Sequence, residues 1–318
     1  MNLSASEECE KGTEIRYPFE SACHVDILGS SNGLLCILVG DQYFDENIIC
    51  IWNPTTKEYK RVPKSPNNQF PCDLIIDKHR VTYGFCYDCK IGDFKLIKAV
   101  GFVGVTSRCG VQLYNLGSNS WNNTYQFIPY CFQWYIRRSS ITVHGSLHWL
   151  ARPGVENMQM QRIPDVIVSF GICEDRFQDL ALPAAVENEG VVKKQLLGAL
   201  DGCLCLFLQQ PGRRVDMWVM REYGVKESWS ILYTTNNQLL VHYPFRINSL
   251  VHSFENGEIL LANYDHSFIL YNPRHDKAKK VTIPGIYGSC IAESYVTSLF
   301  SLNSRTYVGQ DDRIQDLA

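Results

Sequence analysis

The sequence lacks the features that announce a membrane, a nucleic acid or a well-known catalyst. No apolar run approaches the roughly 18 residues that cross a bilayer. Residues 1–11 are polar and acidic, unlike a secretory signal or a transit peptide. Neither sign of charge dominates: 30 Lys and Arg stand against 33 Asp and Glu, for a formal net charge of −3, and no Lys/Arg run is longer than a pair. That balance argues against nucleic acid as the main partner, and a membrane partner is not expected either. No Walker loop, G-x-G-x-x-G or H-E-x-x-H occurs, and no two carboxylates stand out as an acid and base. No long amphipathic helix can be traced.

Strand-formers and tight turns are plentiful instead. Seventeen Tyr, fifteen Phe and six Trp favour pleated surfaces, on which flat rings pack. Four times a turn dipeptide divides two apolar runs: Asn32-Gly33, His144-Gly145, Asp201-Gly202 and Asn256-Gly257. Each reads as a two-residue β-hairpin, because Gly, Asn and Asp accept the positive φ of a type I′ turn. These glycines lie 112, 57 and 55 residues apart, so a degenerate copy is expected in the first gap, with Gly92 as its nearest candidate. A second signal keeps phase with the first: an apolar strand led by Trp52, Tyr114, Phe170, Trp218 or Tyr271, a polar turn, and a returning strand. One Gly hairpin plus one aromatic hairpin makes three or four strands. Repeated at a period near 56, such a sheet closes into an all-β, kelch-like β-propeller of about five or six antiparallel blades.

The expected organisation is a flexible leader over 1–22, the propeller over 23–302 and a polar tail over 303–318. Within it, Tyr295 to Leu302 reads as a last strand that pairs with the first repeat and closes the ring. Most of the thirteen cysteines, without a secretory signal, are expected as free thiols in a reducing, intracellular compartment, cytoplasmic or nuclear. Those inside apolar strands, such as Cys36, Cys50, Cys203 and Cys205, act as small hydrophobes.

Several motifs invite a chemical reading. Gly29-Ser30-Ser31-Asn32-Gly33 matches a G-x-S-x-G nucleophile elbow, but that elbow needs a helix after it, and Leu34 to Val39 reads as a strand. Cys86 and Cys89 form a C-x-x-C without its second half. Cys72, His79 and Cys109 are the nearest further ligands, and no metal or other cofactor is expected. His144 and His148 straddle a hairpin turn, one a turn residue and the other a strand residue. One segment combines the residue types that dominate protein–protein hot spots: Phe127 to Arg138, with Tyr130, Phe132, Trp134, Tyr135, Arg137 and Arg138 as candidate partner contacts. The same rings could instead fill a strand of the core. Arg213 and Arg214, in a Pro-Gly-Arg-Arg turn, could meet an acidic partner or stay solvated.

The ordered set of signatures resembles the plant F-box-associated interaction domain, type 1, of F-box and F-box/kelch-like proteins. The residues that carry it include Gly29 to Cys36, Trp52 to Glu58, Tyr83 to Asp88 with Phe94 to Ile97, and Val111 to Asn115 with Ser120-Trp121. Val143 to Leu150, Ile167 to Phe170, Leu200 to Cys205, Val215 to Met220 and Ser228-Trp229 continue it in order, over about residues 27–302. The resemblance implies a module that captures the protein to be ubiquitinated, while an N-terminal F-box docks on the Skp1 adaptor of a cullin-type (SCF) ligase. Residues 1–26 are too short for an F-box and lack its Leu-Pro and Cys-Lys-x-Trp elements. The expectation is therefore a substrate-binding half, uncoupled from Skp1 and cullin unless an F-box is supplied or the leader suffices, and without catalysis of its own. The contrasting reading is a propeller enzyme of glycan-processing hydrolase or oxidase type.

Overall fold

Three of the four dipeptides form the turn their residue types demand. Asn32 and Gly33, His144 and Gly145, and Asp201 and Gly202 all have positive φ, between 46° and 79°, the signature of type I′ turns. The fourth differs. Only Gly257 is left-handed there. Its N–H donates to the Phe254 carbonyl at 2.8 Å, while Phe254 N–H donates to the Glu258 carbonyl at 2.8 Å. That is a three-residue loop, a type I turn followed by a left-handed glycine. Gly92 does mark the missing copy, at φ 66°, in a four-residue loop between Asp88 and Asp93, which face each other in the ladder.

The computed structural model describes residue 15 and residues 22–41, 47–66, 74–102, 105–122, 126–132, 139–154, 165–187, 195–210, 214–241, 247–263, 267–281 and 292–304. Their strands form five antiparallel sheets, the blades of a β-propeller. Blade 1 holds β1 (Ala22–Ser31), β2 (Leu34–Asp41), β3 (Ile48–Trp52) and β4 (Tyr59–Arg61) in that order. Blade 2 holds β5 (Ile76–Asp88), β6 (Asp93–Phe102), β7 (Val105–Asn115) and β8 (Ser120–Trp121), with β9 (Gln126–Ile128) also on β7. In blade 3, β10 (Tyr130–Phe132) and β11 (Ile141–Val143) share one edge of β12 (Ser146–Pro153), followed by β13 (Val166–Gly171) and β14 (Arg176–Leu180). Blade 4 is β15 (Gln195–Leu200), β16 (Cys203–Gln210), β17 (Arg214–Met220) and β18 (Trp229–Thr235). Blade 5 is β19 (Ile247–Ser253), β20 (Ile259–Asn263), β21 (Phe268–Asn272) and β22 (Lys277–Val281).

The middle strands read as unbroken apolar runs because each sheet buries both faces. On β2, Leu34, Cys36 and Leu38 pack toward Phe85, Phe94 and Tyr114 of blade 2, while Leu35, Ile37 and Val39 pack on the other side with Tyr295. On β20, Ile259 and Leu261 meet blade 4, and Leu260 and Ala262 face a cluster that includes Ala292. Period-2 alternation therefore sends successive side chains to different neighbours. The blades approach closely near their first strands. A Cβ on Gly84 of β5 would lie 2.6 Å from Trp149 Cζ2 and 2.7 Å from Leu147 Cδ1, so only glycine fits there.

Residues 292–304 fill the seam between blades 5 and 1, though not as the ladder strand the sequence suggests. Blade 1 already has its four strands. Instead the Asn53 amide donates to the carbonyls of Ser298 at 3.0 Å and Phe300 at 2.7 Å. The Glu58 carboxylate accepts from Ser301 Oγ (3.0 Å), Leu302 N–H (2.7 Å) and Asn303 Nδ2 (2.8 Å). Side chains of one turn thus clasp the segment, and Phe300 rests edge-on against Phe94.

Candidate functional site

An up-and-down blade sends alternate connections to opposite ends of the propeller. The end carrying the Gly hairpins and aromatic turns is stitched across each seam between consecutive blades. Ser31 Oγ of blade 1 accepts the Tyr87 N–H of blade 2 at 2.9 Å. Lys95 of blade 2 donates to the Ile172 carbonyl of blade 3 at 3.0 Å, and pairs with Asp88 and Asp175, both at 2.7 Å. His148 of blade 3 meets the Tyr223 hydroxyl of blade 4 at 2.7 Å. Ser253 Oγ of blade 5 donates to Asp201 of blade 4 at 2.8 Å.

The opposite end carries the crossings between blades and the longer connections within them: Arg61 to Ile76, Pro153 to Val166, Leu180 to Gln195 and Thr235 to Ile247. Long loops on a rigid scaffold are where recognition concentrates. This crossover end is the candidate site.

Strand direction places Tyr130 and Arg214 at that end. Tyr130 opens β10 opposite Pro153. The residue is half-buried, its hydroxyl donates to Asp179 at 3.2 Å, and burial, with the Asp179 charge behind it, raises its pKa. Arg214 opens β17 and is exposed. Its guanidinium lies 3.0 Å from the buried Asp216 carboxylate, which also accepts from Thr234 Oγ1 at 2.8 Å, so the cation is held in a defined position. Phe132 points inward: it is 8% exposed and packs on Trp149 with ring centroids 5.5 Å apart. Trp134, Tyr135, Arg137, Arg138 and Arg213 lie outside the described residues.

The interruption of blade 3 is itself informative. Phe132 and Ile141 are nine apart in sequence, yet their partners Ala151 and His148 are only three apart on β12. The aromatic and basic stretch therefore departs from the middle of a strand edge. Sequence reasoning missed a neighbouring pair: Arg108 lies over the Phe127 ring, 4.7 Å from its centroid, and Phe127 also contacts Phe102 at 6.0 Å. A lone Arg some twenty residues upstream carries no sequence signal for such a contact.

The other motifs resolve into structural roles. Ser30 and Ser31 lead into a strand–turn–strand unit, so no elbow is built. Cys86 is buried, its thiol directed to the Lys95 carbonyl at 3.7 Å, and burial pushes it up to about 12. Cys89 is exposed in the turn. His148 is 1% exposed; its Nδ1–H donates to the Ile141 carbonyl at 3.1 Å, which leaves Nε2 to accept from Tyr223. The His144 ring also contacts that Tyr ring, tilted, with centroids 4.9 Å apart. Among the described residues no three His, Cys, Asp or Glu side chains gather as metal ligands, and no helix is long and apolar enough to cross a membrane.

Comparison with known proteins bears on the whole chain. A family model described as the F-box associated beta propeller domain matches residues 2–302. F-box protein CPR1 of Arabidopsis thaliana is 27% identical over 304 residues, covering 90% of this chain and 70% of that protein. The F-box/kelch-repeat protein At3g23880 of the same plant is 25% identical over 280 residues, covering 88% of this chain and 70% of that one.

Proposed function

The chain belongs to the F-box associated beta propeller family, and from that premise we propose that it is the substrate-recognition module of an SCF-type ubiquitin ligase, holding a protein on its crossover end. One observation carries the placement. The turn end is tied by seam contacts such as Lys95–Asp175 and His148–Tyr223 and carries short turns, whereas the crossover end carries the long connections together with Tyr130 and Arg214. Tyr and Arg supply large contact area and planar charge to interfaces. Asp216 orients Arg214 before any partner arrives, which lowers the ordering cost of binding. Ubiquitin transfer belongs to other subunits, and contact with the Skp1 adaptor and cullin belongs to an F-box rather than to this propeller. Residence in the cytoplasm or nucleus is part of the same reading.

The test is a pull-down from plant extract under proteasome inhibition, with purified Skp1 as a parallel arm. Wild type is compared with a Tyr130→Ser/Arg214→Ala variant whose fold is verified by thermal unfolding. A protein retained by wild type and lost by the variant supports the assignment. Equal capture by both overturns the crossover end as the binding face, and tight binding of purified Skp1 to the propeller overturns the division of labour.

A further inference from the structure

The seam between blades 2 and 3 brings thiols together in pairs. Cys109 on β7 and Cys131 on β10 hydrogen-bond to each other, and elsewhere on the same seam Cys173 meets Cys89. The first pair is held by backbone on both sides: Cys109 faces Ile128 of β9, and Cys131, three residues on, faces Arg152 of β12. Cys109 is buried and Cys131 half-buried, so one thiol is shielded and the other open to a small reagent. Their surroundings differ from those of the second pair. The hydrogen bond from Cys109, and then the guanidinium groups of Arg80 and Arg152, lower the pKa of Cys131 against the effect of its burial. Cys173 is pushed the other way, by desolvation and by the Asp88 carboxylate its thiol contacts at 3.4 Å. Thiolate character and access are what select a cysteine for oxidation.

We propose that Cys109 and Cys131 form a peroxide-reactive dithiol that closes to a disulfide across the seam of blades 2 and 3. The Cys131 thiolate attacks one oxygen of hydrogen peroxide. An S–O bond forms, the O–O bond breaks, and hydroxide leaves to be protonated to water. Sulfur has then lost two electrons and stands as a sulfenic acid. The Cys109 sulfur attacks it, the S–S bond forms, the S–O bond breaks, and the departing hydroxide takes the Cys109 proton as a second water. In sum, two thiols and one peroxide give one disulfide and two waters. The bond ties β7 to β10 immediately before residues 133–138, so oxidation fixes the base from which the aromatic and basic stretch departs.

Mapping thiols on the full chain tests this. Trypsin releases residues 109–137 as one peptide with both cysteines, since no Lys or Arg lies between Arg108 and Arg137. After treatment with hydrogen peroxide near neutral pH, that peptide is expected to be about 2 Da lighter, the two hydrogens lost on oxidation. Chymotryptic cleavage within it should leave fragments joined until a reductant is added. In Cys109→Ser, dimedone should instead trap a sulfenic acid on Cys131. In the untreated wild type, iodoacetamide should alkylate Cys131 on the order of tenfold faster than Cys173. The proposal fails if the 109–137 peptide keeps both thiols while Cys89 and Cys173 become linked, or if Cys131 reacts no faster than Cys173. Mapping of the wild type decides the matter even if the Ser variant does not fold.

Discussion

Acid should loosen this propeller through one histidine. Burial lowers the pKa of His148 from the usual 6.5 to about 4, because a charged ring inside the seam would be poorly solvated. The sign follows from proton counting. Between about pH 6.5 and 4 the unfolded chain binds a proton on this ring that the folded chain refuses, so stability rises with pH across that window. The contribution is complete above the unfolded value and is lost as pH falls toward the folded one. A separation of this size corresponds to about 3 kcal/mol in full, and about 2 kcal/mol of it should disappear between pH 8 and pH 5. Urea unfolding followed by tryptophan fluorescence at several pH values measures it. His148→Gln keeps a donor and an acceptor but does not titrate, so subtracting its pH dependence from that of wild type removes the other groups. If the two proteins show the same slope between pH 8 and 5, the ring is not buried as a neutral acceptor.

Three further substitutions probe other seams and turns. Lys95→Met should cost about 3–5 kcal/mol, because it strands the Asp88 carboxylate, which is 1% exposed; adding Asp88→Asn should recover much of the loss in the same unfolding assay. Gly84→Ala should cost about 1–3 kcal/mol through overpacking, since Trp149 and Leu147 occupy the space of its Cβ; a neutral effect would mean that blades 2 and 3 stand further apart. Lys57 holds φ 62° in its turn, where the matching turns of blades 2, 3 and 5 use Asn119, Asp175 and Asp276. Lys57→Asn should therefore raise stability by about 0.5 kcal/mol, and a lower melting temperature would contradict the assignment of strain.

What could be read from the sequence tracks how narrow each physical requirement is. Left-handed φ is tolerated by few residue types, so Asn32-Gly33 and Asp201-Gly202 announced their turns, and the period of those turns announced the blades. Asn256-Gly257 misled because the same dipeptide also ends a three-residue loop, a choice made by the pairing of Phe254 with Glu258 rather than by the dipeptide. Tyr295 to Leu302 has a strand's composition, yet whether it finds a ladder depends on edges that blade 1 had already filled. The seam groups were hidden for a different reason. Lys95 and Asp175 are 80 residues apart, and no local pattern joins them. Tyr130 and Phe132 look alike in sequence and share one face of β10, yet the first lies at the strand's open end beside Asp179 and the second lies further in, against Trp149.

The clasp on residues 298–303 has a consequence for biosynthesis. Its two holding side chains, Asn53 and Glu58, are some 245 residues upstream of the groups they bind. At roughly 5–20 residues per second, a ribosome takes about 12–50 s to cover that distance. Blade 1 is thus synthesised well before the segment that covers it and waits for that segment to emerge. Until then the seam with Leu35, Ile37 and Val39 stands open, a sticky apolar surface on a nascent chain. A factor that shields such surfaces co-translationally would find its substrate there, and a stalled or prematurely terminated message would release a product with that surface uncovered.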